Sequence, residues 1–195
     1  MKKGFSLIEV VLVLSVTIAL LSTATYLYLK SHKSERVNNE VKNFSVLTEG
    51  LTNLYKTSTI PTNSEFDEIA IKAKVVPTAM LSKTKNKIIN GWKGDVHIGS
   101  YYIDSSKYPI LAVQYNNVPA EECAQFVMQT ARYAKQVVVG LAKTSDPGGI
   151  VRSGAGRNVV FGTTREDLTK KEDLTLANVT AACNMSANAL ILYKF

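Results

Sequence analysis

The stretch KKGFSLIEVVLVLSVTIALLSTATYLYL, residues 2–29, decides the fold of this chain. From Phe5 to Leu29 it is apolar apart from scattered hydroxyl groups, it contains neither Pro nor Gly, and its only charge is Glu9. As a helix these residues extend about 37 Å, which exceeds the roughly 30 Å of hydrocarbon in a bilayer. A carboxylate in such a segment costs roughly 2.5–3.5 kcal/mol at mid-helix and less near an end. Glu9 is therefore expected to have a function and a partner.

Two common kinds of segment could account for the apolar run: a secretory signal peptide and an ordinary membrane anchor. Lys2-Lys3 precedes it and predicts a cytoplasmic N-terminus, with the rest of the chain outside. A secretory signal peptide would have a shorter apolar region, about 7–15 residues, and a small-residue cleavage site, which residues 23–25 match poorly. An ordinary membrane anchor explains the length, but it explains neither Glu9 nor the Gly4–Phe5 junction directly before the run.

Lys3-Gly4-Phe5-Ser6-Leu7-Ile8-Glu9 resembles the class III signal of type IV pilins and the related pseudopilins. The resemblance implies that a membrane prepilin peptidase cleaves between Gly4 and Phe5 on the cytoplasmic side. The same enzyme would then N-methylate the new amino terminus of Phe5. Glu9 would become the fifth residue of the mature chain, which is the position of the family's signature glutamate.

The resemblance also gives Glu9 a partner. In a filament of this family the apolar helices pack together, so Glu9 would lie in a medium of low dielectric constant. The nearby cation is the amino group of Phe5 on a neighbouring subunit, and an unpaired charge there would be costly. Glu9 is therefore predicted to set the register of assembly. In the alternative, Glu9 reaches the headgroup region of the membrane, which leaves the Gly4–Phe5 junction unexplained.

A second pattern extends the helix beyond the apolar run. Apolar residues recur every three or four positions between Val37 and Leu54, which predicts one apolar face of an amphipathic helix. Glu40 and its polar neighbours are assigned largely to the opposite face. Ile60-Pro61 is expected to end the helix, so that it covers about residues 5–56.

The chain is expected to have four parts. They are a leader, residues 1–4; the transmembrane or filament-core half of the long helix, 5–29; its amphipathic half, 30–60; and a globular head, 61–195. The head is one domain by size. The predicted fold class is α+β: the long helix forms a spine packed on an antiparallel β-sheet, with further helices at the side.

Turn residues and apolar periodicity locate the elements of the head. Helices are predicted from Asn63-Ser64 to about Lys74, from Pro119 to about Val139, and over residues 174–182. Strands are predicted over residues 95–99, 101–104, 110–115, 158–162 and 187–195. Turns are predicted at residues 91–94 and 146–149.

Cys123 and Cys183 are the only cysteines of the sequence. In an exported protein two cysteines indicate one disulfide, with two buried free thiols as the alternative. The closed loop of about 60 residues would contribute roughly 4 kcal/mol in the chain-entropy model. Pilins of the family carry a C-terminal disulfide, and the layout here looks like the type IVb subclass, with the bundle-forming and toxin-coregulated pilins as its nearest types. The four-residue leader and Phe5 are more like type IVa.

The remaining motifs predict no chemistry. His32 and His97 each lack a second ligand beside them, so no metal site is predicted. The glycines between residues 148 and 156 lack the Gly-Lys-Ser/Thr of a phosphate loop. No pairing of a nucleophile with a base is visible, so the sequence predicts neither an enzyme nor a cofactor.

The chain is basic, with a formal net charge of +7 that would fall by two, to +5, on loss of Lys2 and Lys3. Lys83, Lys85 and Lys87 form a basic stretch that is expected to be a solvated face. Such a charge is compatible with attraction to DNA, acidic glycans or anionic cell surfaces, and it identifies none of them.

The favoured function is that of a major structural pilin, which polymerises with copies of itself into a surface fibre for adhesion, aggregation, motility or DNA transfer. The implied partners are the prepilin peptidase, the pilus assembly platform, minor pilins, the inner membrane before assembly, and a host or other cell surface. One alternative is a minor pilin or a type II secretion pseudopilin, although pseudopilins commonly lack the disulfide and often bind calcium. A more remote alternative is a membrane-tethered enzyme or binding module, which would need a polar pocket that the sequence does not show.

Overall fold

A computed structural model describes residues 7–56, 60, 66–101, 110–141, 157–163, 171–184 and 189–195. The chain forms two compact units, Met1–Arg36 and Val37–Phe195. One helix, α1, Leu7–Tyr55, contributes to both. The predicted long helix is therefore confirmed over the residues that the structure describes.

The other elements all belong to the second unit. Its helices are α2, Asp67–Lys72; α3, Ala120–Thr130; and α4, Leu176–Cys183, with 3-10 turns at Thr78–Met80 and Ala131–Tyr133. Its strands are β1, Val96–Tyr101; β2, Ile110–Val118; β3, Gln136–Leu141; β4, Arg157–Thr163; β5, Lys171–Glu172; and β6, Ala189–Lys194.

The described strands form one sheet in the order β1-β2-β6-β3-β4-β5, and every neighbouring pair is antiparallel. The strand latest in the chain, β6, lies between β2 and β3. Tyr193 of β6 is opposite Val113 on one side and Val137 on the other. β6 thus joins β1 and β2, which precede α3 in the chain, to β3, β4 and β5, which follow α3.

The second half of α1 packs on this sheet through the predicted apolar face. Its most buried apolar residues are Val37, Phe44, Leu47 and Leu51, none of which retains exposed surface. The Phe44 ring lies 4.4 Å from the Tyr193 ring and 5.8 Å from the Tyr115 ring, measured between centroids. Aromatic contacts of this kind contribute about 0.5–1.5 kcal/mol beyond the area that they bury. The predicted α+β architecture, a spine helix on an antiparallel sheet, is confirmed.

Four predicted elements of the head are confirmed with shifted ends: strands β2, β4 and β6, and helix α4. The turn at residues 91–94 is also present. The predicted turn at residues 146–149 lies outside the described residues.

The predicted helix from Pro119 to Val139 is wrong in its second half. α3 ends at Thr130, and Gln136–Leu141 is the strand β3, paired with both β4 and β6. Three consecutive valines, residues 137–139, are β-branched and fit a pleated sheet better than a helix. This local preference, together with the two partner strands, outweighs the helical periodicity.

Two smaller expectations at β1 and α2 also change. Tyr101 ends β1 instead of opening a second strand, and residues 102–104 lie outside the described part of the chain. The described start of α2 has Phe66 at the cap position and no capping side chain; Asn63-Ser64 also lies outside the described residues. Asp67, in the first turn, instead accepts a hydrogen bond from the Ile98 amide at 2.6 Å.

Candidate functional site

The N-terminal part of α1 carries the predicted assembly residue. Glu9 lies in the first turn of α1 and is exposed. Gly4 and Phe5, the predicted cleavage and methylation residues, lie outside the described part of the chain. The free N–H groups of a first helical turn give it a partial positive charge, which favours a carboxylate there.

The large apolar side chains that follow Glu9 are exposed rather than packed. Between Leu7 and Leu29 their exposed fractions run from 44% to 82%. Among the described residues α1 is the helix that is long and apolar enough to cross a membrane. So large an apolar surface needs a cover of lipid or protein.

The hydroxyl groups of this apolar segment bond to the helix itself. The Thr17 hydroxyl donates to the Val13 carbonyl at 2.7 Å, one turn earlier. The same backbone contact is made by Ser15, Ser22, Thr23 and Thr25, at 2.8–2.9 Å. These polar groups therefore need no partner outside the helix, which suits them to an apolar environment.

A second carboxylate, Glu40, lies where α1 packs on the head, and its predicted exposure is wrong. Glu40 is only 4% exposed, because it occupies the centre of the apolar stripe, three residues after Val37 and four before Phe44. Its Oε1 accepts hydrogen bonds from the Asn43 amide at 3.0 Å and from the Gly91 backbone. Its Oε2 is buried and has no hydrogen-bond partner among the described residues.

Burial has an electrostatic consequence for Glu40. It raises the pKa of the carboxyl above its usual 4.5, while the bonds from Asn43 and Gly91 act in the opposite direction. Glu40 also raises the pKa of the buried Tyr115 hydroxyl, although burial of Tyr115 is the larger cause. The helix spacing could have revealed Glu40, since it repeats that of the apolar neighbours.

The turn that meets Glu40 is organised by Asn90. The Asn90 Oδ1 accepts hydrogen bonds from the amides of Trp92 at 3.0 Å and Gly94 at 2.9 Å. Its Nδ2 donates to the Asn116 carbonyl at 2.7 Å. The turn therefore fixes the end of β2 relative to α1.

The same turn is attached to α3 through a buried pair. The Trp92 Nε1 donates to the Glu122 Oε2 at 2.8 Å, and Glu122 is 3% exposed. An intramolecular hydrogen bond typically contributes roughly 0.5–1.5 kcal/mol net. Two buried carboxylates, Glu40 and Glu122, thus hold one short turn from two helices.

The predicted disulfide is confirmed. Cys123 of α3 and Cys183 of α4 are bonded, with their Cα atoms 5.7 Å apart. Both cysteines are buried, and they join the two helices that flank β3 and β4 in sequence.

His97 has an acidic partner that the sequence interpretation missed. Its Nδ1 lies 3.0 Å from the Asp67 Oδ2, which connects β1 to α2. His32, in the other unit, lies near Tyr28 and Glu35 on α1. Among the described residues no three His, Cys, Asp or Glu side chains are placed to hold a metal ion.

A shallow groove of about 320 Å³ runs beside the exposed side of α1 in the head. It is lined by Ser45, Thr48, Glu49, Thr52, Asn53 and Tyr133. Hydrogen bonds from Ser45 and Arg132 lower the pKa of the Tyr133 hydroxyl, while its small burial acts in the opposite direction. The groove brings together no nucleophile and base in hydrogen-bond contact that would indicate catalysis.

Comparison with known proteins agrees with this anatomy. The family described as PilS N terminal matches residues 34–194. Among solved structures, the crystal structure of TcpA, a type IV pilin from Vibrio cholerae El Tor biotype, superposes with a TM-score of 0.55 and 16% identity. The match covers 83% of this chain and 99% of the other. No curated protein sequence matches the chain. Since the family match covers most of the sequence, the chain belongs to the PilS N-terminal family and has the fold of a type IV pilin.

Proposed function

We propose that the chain is a major pilin, the repeating subunit of a type IV pilus, with a structural and not an enzymatic role. The observation that carries the proposal is the exposed apolar segment of α1 joined to a head with the pilin fold. Lipid can cover that segment before assembly, and the equivalent helices of other copies can cover it afterwards. A membrane-tethered module would need only the first cover.

The proposed course begins in the inner membrane, with the N-terminus in the cytoplasm and the head outside. A prepilin peptidase cleaves between Gly4 and Phe5 and methylates the Phe5 amine. The assembly platform then moves the subunit into a fibre, where residues 5–29 form part of the core. Minor pilins and a target cell surface are its further partners.

Glu9 has the directing role in this proposal. In a fibre the apolar helices of several copies pack side by side, so the Phe5 amine of a neighbouring copy can pair with Glu9. That pair would fix how far one helix slides along the next. In a low-dielectric core a misaligned charge is costly, which makes the pair a register device.

The mass of the fibre subunit tests the proposal. Filaments sheared from cells should yield a chain of residues 5–195 with one added methyl group and two hydrogens lost to the disulfide. Intact-mass spectrometry measures all three changes at once. A chain that retains Met1, or one found in the membrane fraction but never in sheared filaments, would contradict a major-pilin role.

A further inference from the structure

The segment where α1 leaves its apolar run carries a group of basic residues. We define residues 26–36 as the exit segment. Lys30, Lys33 and Arg36 are exposed and follow one another at intervals of three. At 100° per residue they fall within about 120° of the helix circumference, and they extend about 9 Å along its axis. The three cations therefore form one basic face directly after Leu29.

Two tyrosines mark the same level of the helix. Tyr26 and Tyr28 are 64% and 63% exposed, respectively, and stand in the last turn of the apolar run. The Tyr28 ring lies 4.4 Å from the ring of His32 in an edge-on contact. Exposed tyrosines next to a lipid-length apolar run are typical of the headgroup boundary, because the ring is apolar and its hydroxyl is polar.

The position of these cations is unusual for a membrane helix. Lysine and arginine are normally enriched on the cytoplasmic side, yet here three of them follow the apolar run and only Lys2-Lys3 precedes it. A long domain is translocated largely regardless of its charge, so the head can still lie outside. Cleavage after Gly4 would remove the lysines of the cytoplasmic side and leave the exit segment as the basic end.

The acidic residue of the exit segment only partly offsets its charge. Glu35 lies 3.9 Å from the His32 Nδ1 on the side of the helix away from Lys30. One carboxylate against three permanent cations leaves a formal charge of +2 over residues 30–36. An anionic partner therefore gains from this face, and less so at high salt.

We propose that Lys30, Lys33 and Arg36 bind the phosphate groups of anionic phospholipids in the leaflet on the head's side, and so fix the depth of the unassembled subunit. This inference rests on the proposed membrane stage of the pilin. The headgroup layer is about 5–8 Å thick on each side. Measured from Leu29 along the helix axis, Lys30 and Lys33 lie within this layer, whereas Arg36 lies about 10 Å away and reaches back to it with its long side chain. The continuous apolar run and the two tyrosines at its end favour lipid over a soluble polyanion, because a soluble polyanion would contact neither of them.

The proposal has a consequence for assembly. A subunit that enters the fibre must release these headgroups, so anionic lipid opposes extraction while it holds the processed helix in place. Each basic residue near an anionic membrane surface is worth about 1 kcal/mol, which corresponds to roughly a fivefold preference.

Lipid retention by the full chain tests the inference. The chain is placed in nanodiscs that contain equal amounts of phosphatidylcholine and phosphatidylglycerol, and native mass spectrometry counts the lipids that remain bound. The wild type should retain phosphatidylglycerol in clear excess. The triple variant Lys30→Gln, Lys33→Gln, Arg36→Gln should lower that excess at least fivefold, because it removes three surface cations.

A matched control removes the same charge elsewhere. The control is the triple variant Lys83→Gln, Lys85→Gln, Lys87→Gln. It changes exposed residues of the head and should leave the excess of bound phosphatidylglycerol unchanged. An excess that survives in the exit-segment variant, or that falls equally in both variants, overturns the inference while the proposed function stands. A wild-type chain that does not enter nanodiscs at all contradicts the membrane stage itself.

Discussion

Two glutamates of α1 show how the same side chain acquires different roles at different depths. Glu9 is exposed on the apolar half of the helix, where a neighbouring copy can contact it. Glu40 is buried in the head, where Asn43 and the Gly91 backbone hold one of its oxygens and the described residues offer the other none. The first is suited to assembly, and the second makes stability depend on pH.

The Glu40→Gln variant should reveal that dependence. Because burial raises the pKa of Glu40 above 4.5, the folded wild type binds a proton that the unfolded chain has released, and stability falls as pH rises between the two pKa values. Glutamine keeps an acceptor for Gly91 and does not ionise. The variant's free energy of unfolding minus that of the wild type should therefore increase from pH 4 to pH 8, by about 1.4 kcal/mol per unit of pKa difference. Urea titrations of the full chain in detergent measure it.

Glu49→Gln provides the control, because Glu49 is an exposed glutamate of the same helix. A difference between Glu40→Gln and wild type that stays constant with pH would show that Glu40 does not titrate in this window.

The Glu9→Ala variant tests the other carboxylate. Cleavage at Gly4–Phe5 should continue, since the junction is intact, but fibre yield or N-methylation should fall because the register pair is lost. The yield of sheared filaments and the mass of the membrane-bound chain measure the two steps separately. Ser15→Ala is the matched change within the same apolar run and should assemble as wild type. Normal fibres from Glu9→Ala would refute the assigned role of Glu9.

At the scale of elements, the Asn90–Gly94 turn shows how tightly one connection can be specified. A Cβ on Gly94 would overlap the carbonyl group of Asn116, whereas Lys93 holds a positive φ of 64°, where a side chain is strained. Both adjacent positions of the turn therefore have a steric preference for glycine, although only residue 94 is a glycine. Both follow from the way Asn90 draws the chain around its side-chain oxygen.

Substitutions at these two positions should have opposite effects. Gly94→Ala should destabilise the head by about 1–3 kcal/mol, because backbone must move to admit the new methyl group. Lys93→Gly should stabilise it by up to about 1 kcal/mol, because glycine adopts a positive φ without strain. Thermal unfolding of the full chain in detergent compares the pair. A loss of stability in Lys93→Gly would show that its side chain contributes more than its backbone conformation costs.

Elements with one dominant signal could be predicted from the sequence, and those with competing signals could not. The apolar run and the amphipathic pattern that follows it both predict a helix, so α1 could be predicted along its length. By contrast, Val137 lies at helical spacing from the apolar side of α3, and its assignment to β3 depends on pairing with β4 and β6, which are distant in sequence. The charge of Glu40 predicts an exposed position, whereas its spacing from Val37 and Phe44 predicts the buried one that the structure shows. The contact between Asp67 and His97 depends on the packing of α2 beside strand β1, which residue spacing in the sequence does not reveal.

At the scale of the whole molecule, the disulfide closes the longest covalent loop of the head. It closes a separation of 60 residues and encloses β3, β4 and β5. Reduction should lower the free energy of unfolding by roughly 2–5 kcal/mol, chiefly by freeing the unfolded chain. Urea titrations with and without reductant measure the change. The double variant Cys123→Ala, Cys183→Ala should be insensitive to reductant. A wild type that is equally insensitive would show that the disulfide does not stabilise the head.

The position of β6 sets the order in which the head can form. Since β6 separates β2 from β3, the two halves of the sheet have no shared edge until this strand, about 70 residues after β2, arrives between them. Until then the earlier strands have open edges, and such edges invite mispairing with other chains. Under the proposed function, in which many copies of the chain are exported, a chaperone or rapid crossing of the membrane would protect the chain just before the final strand emerges.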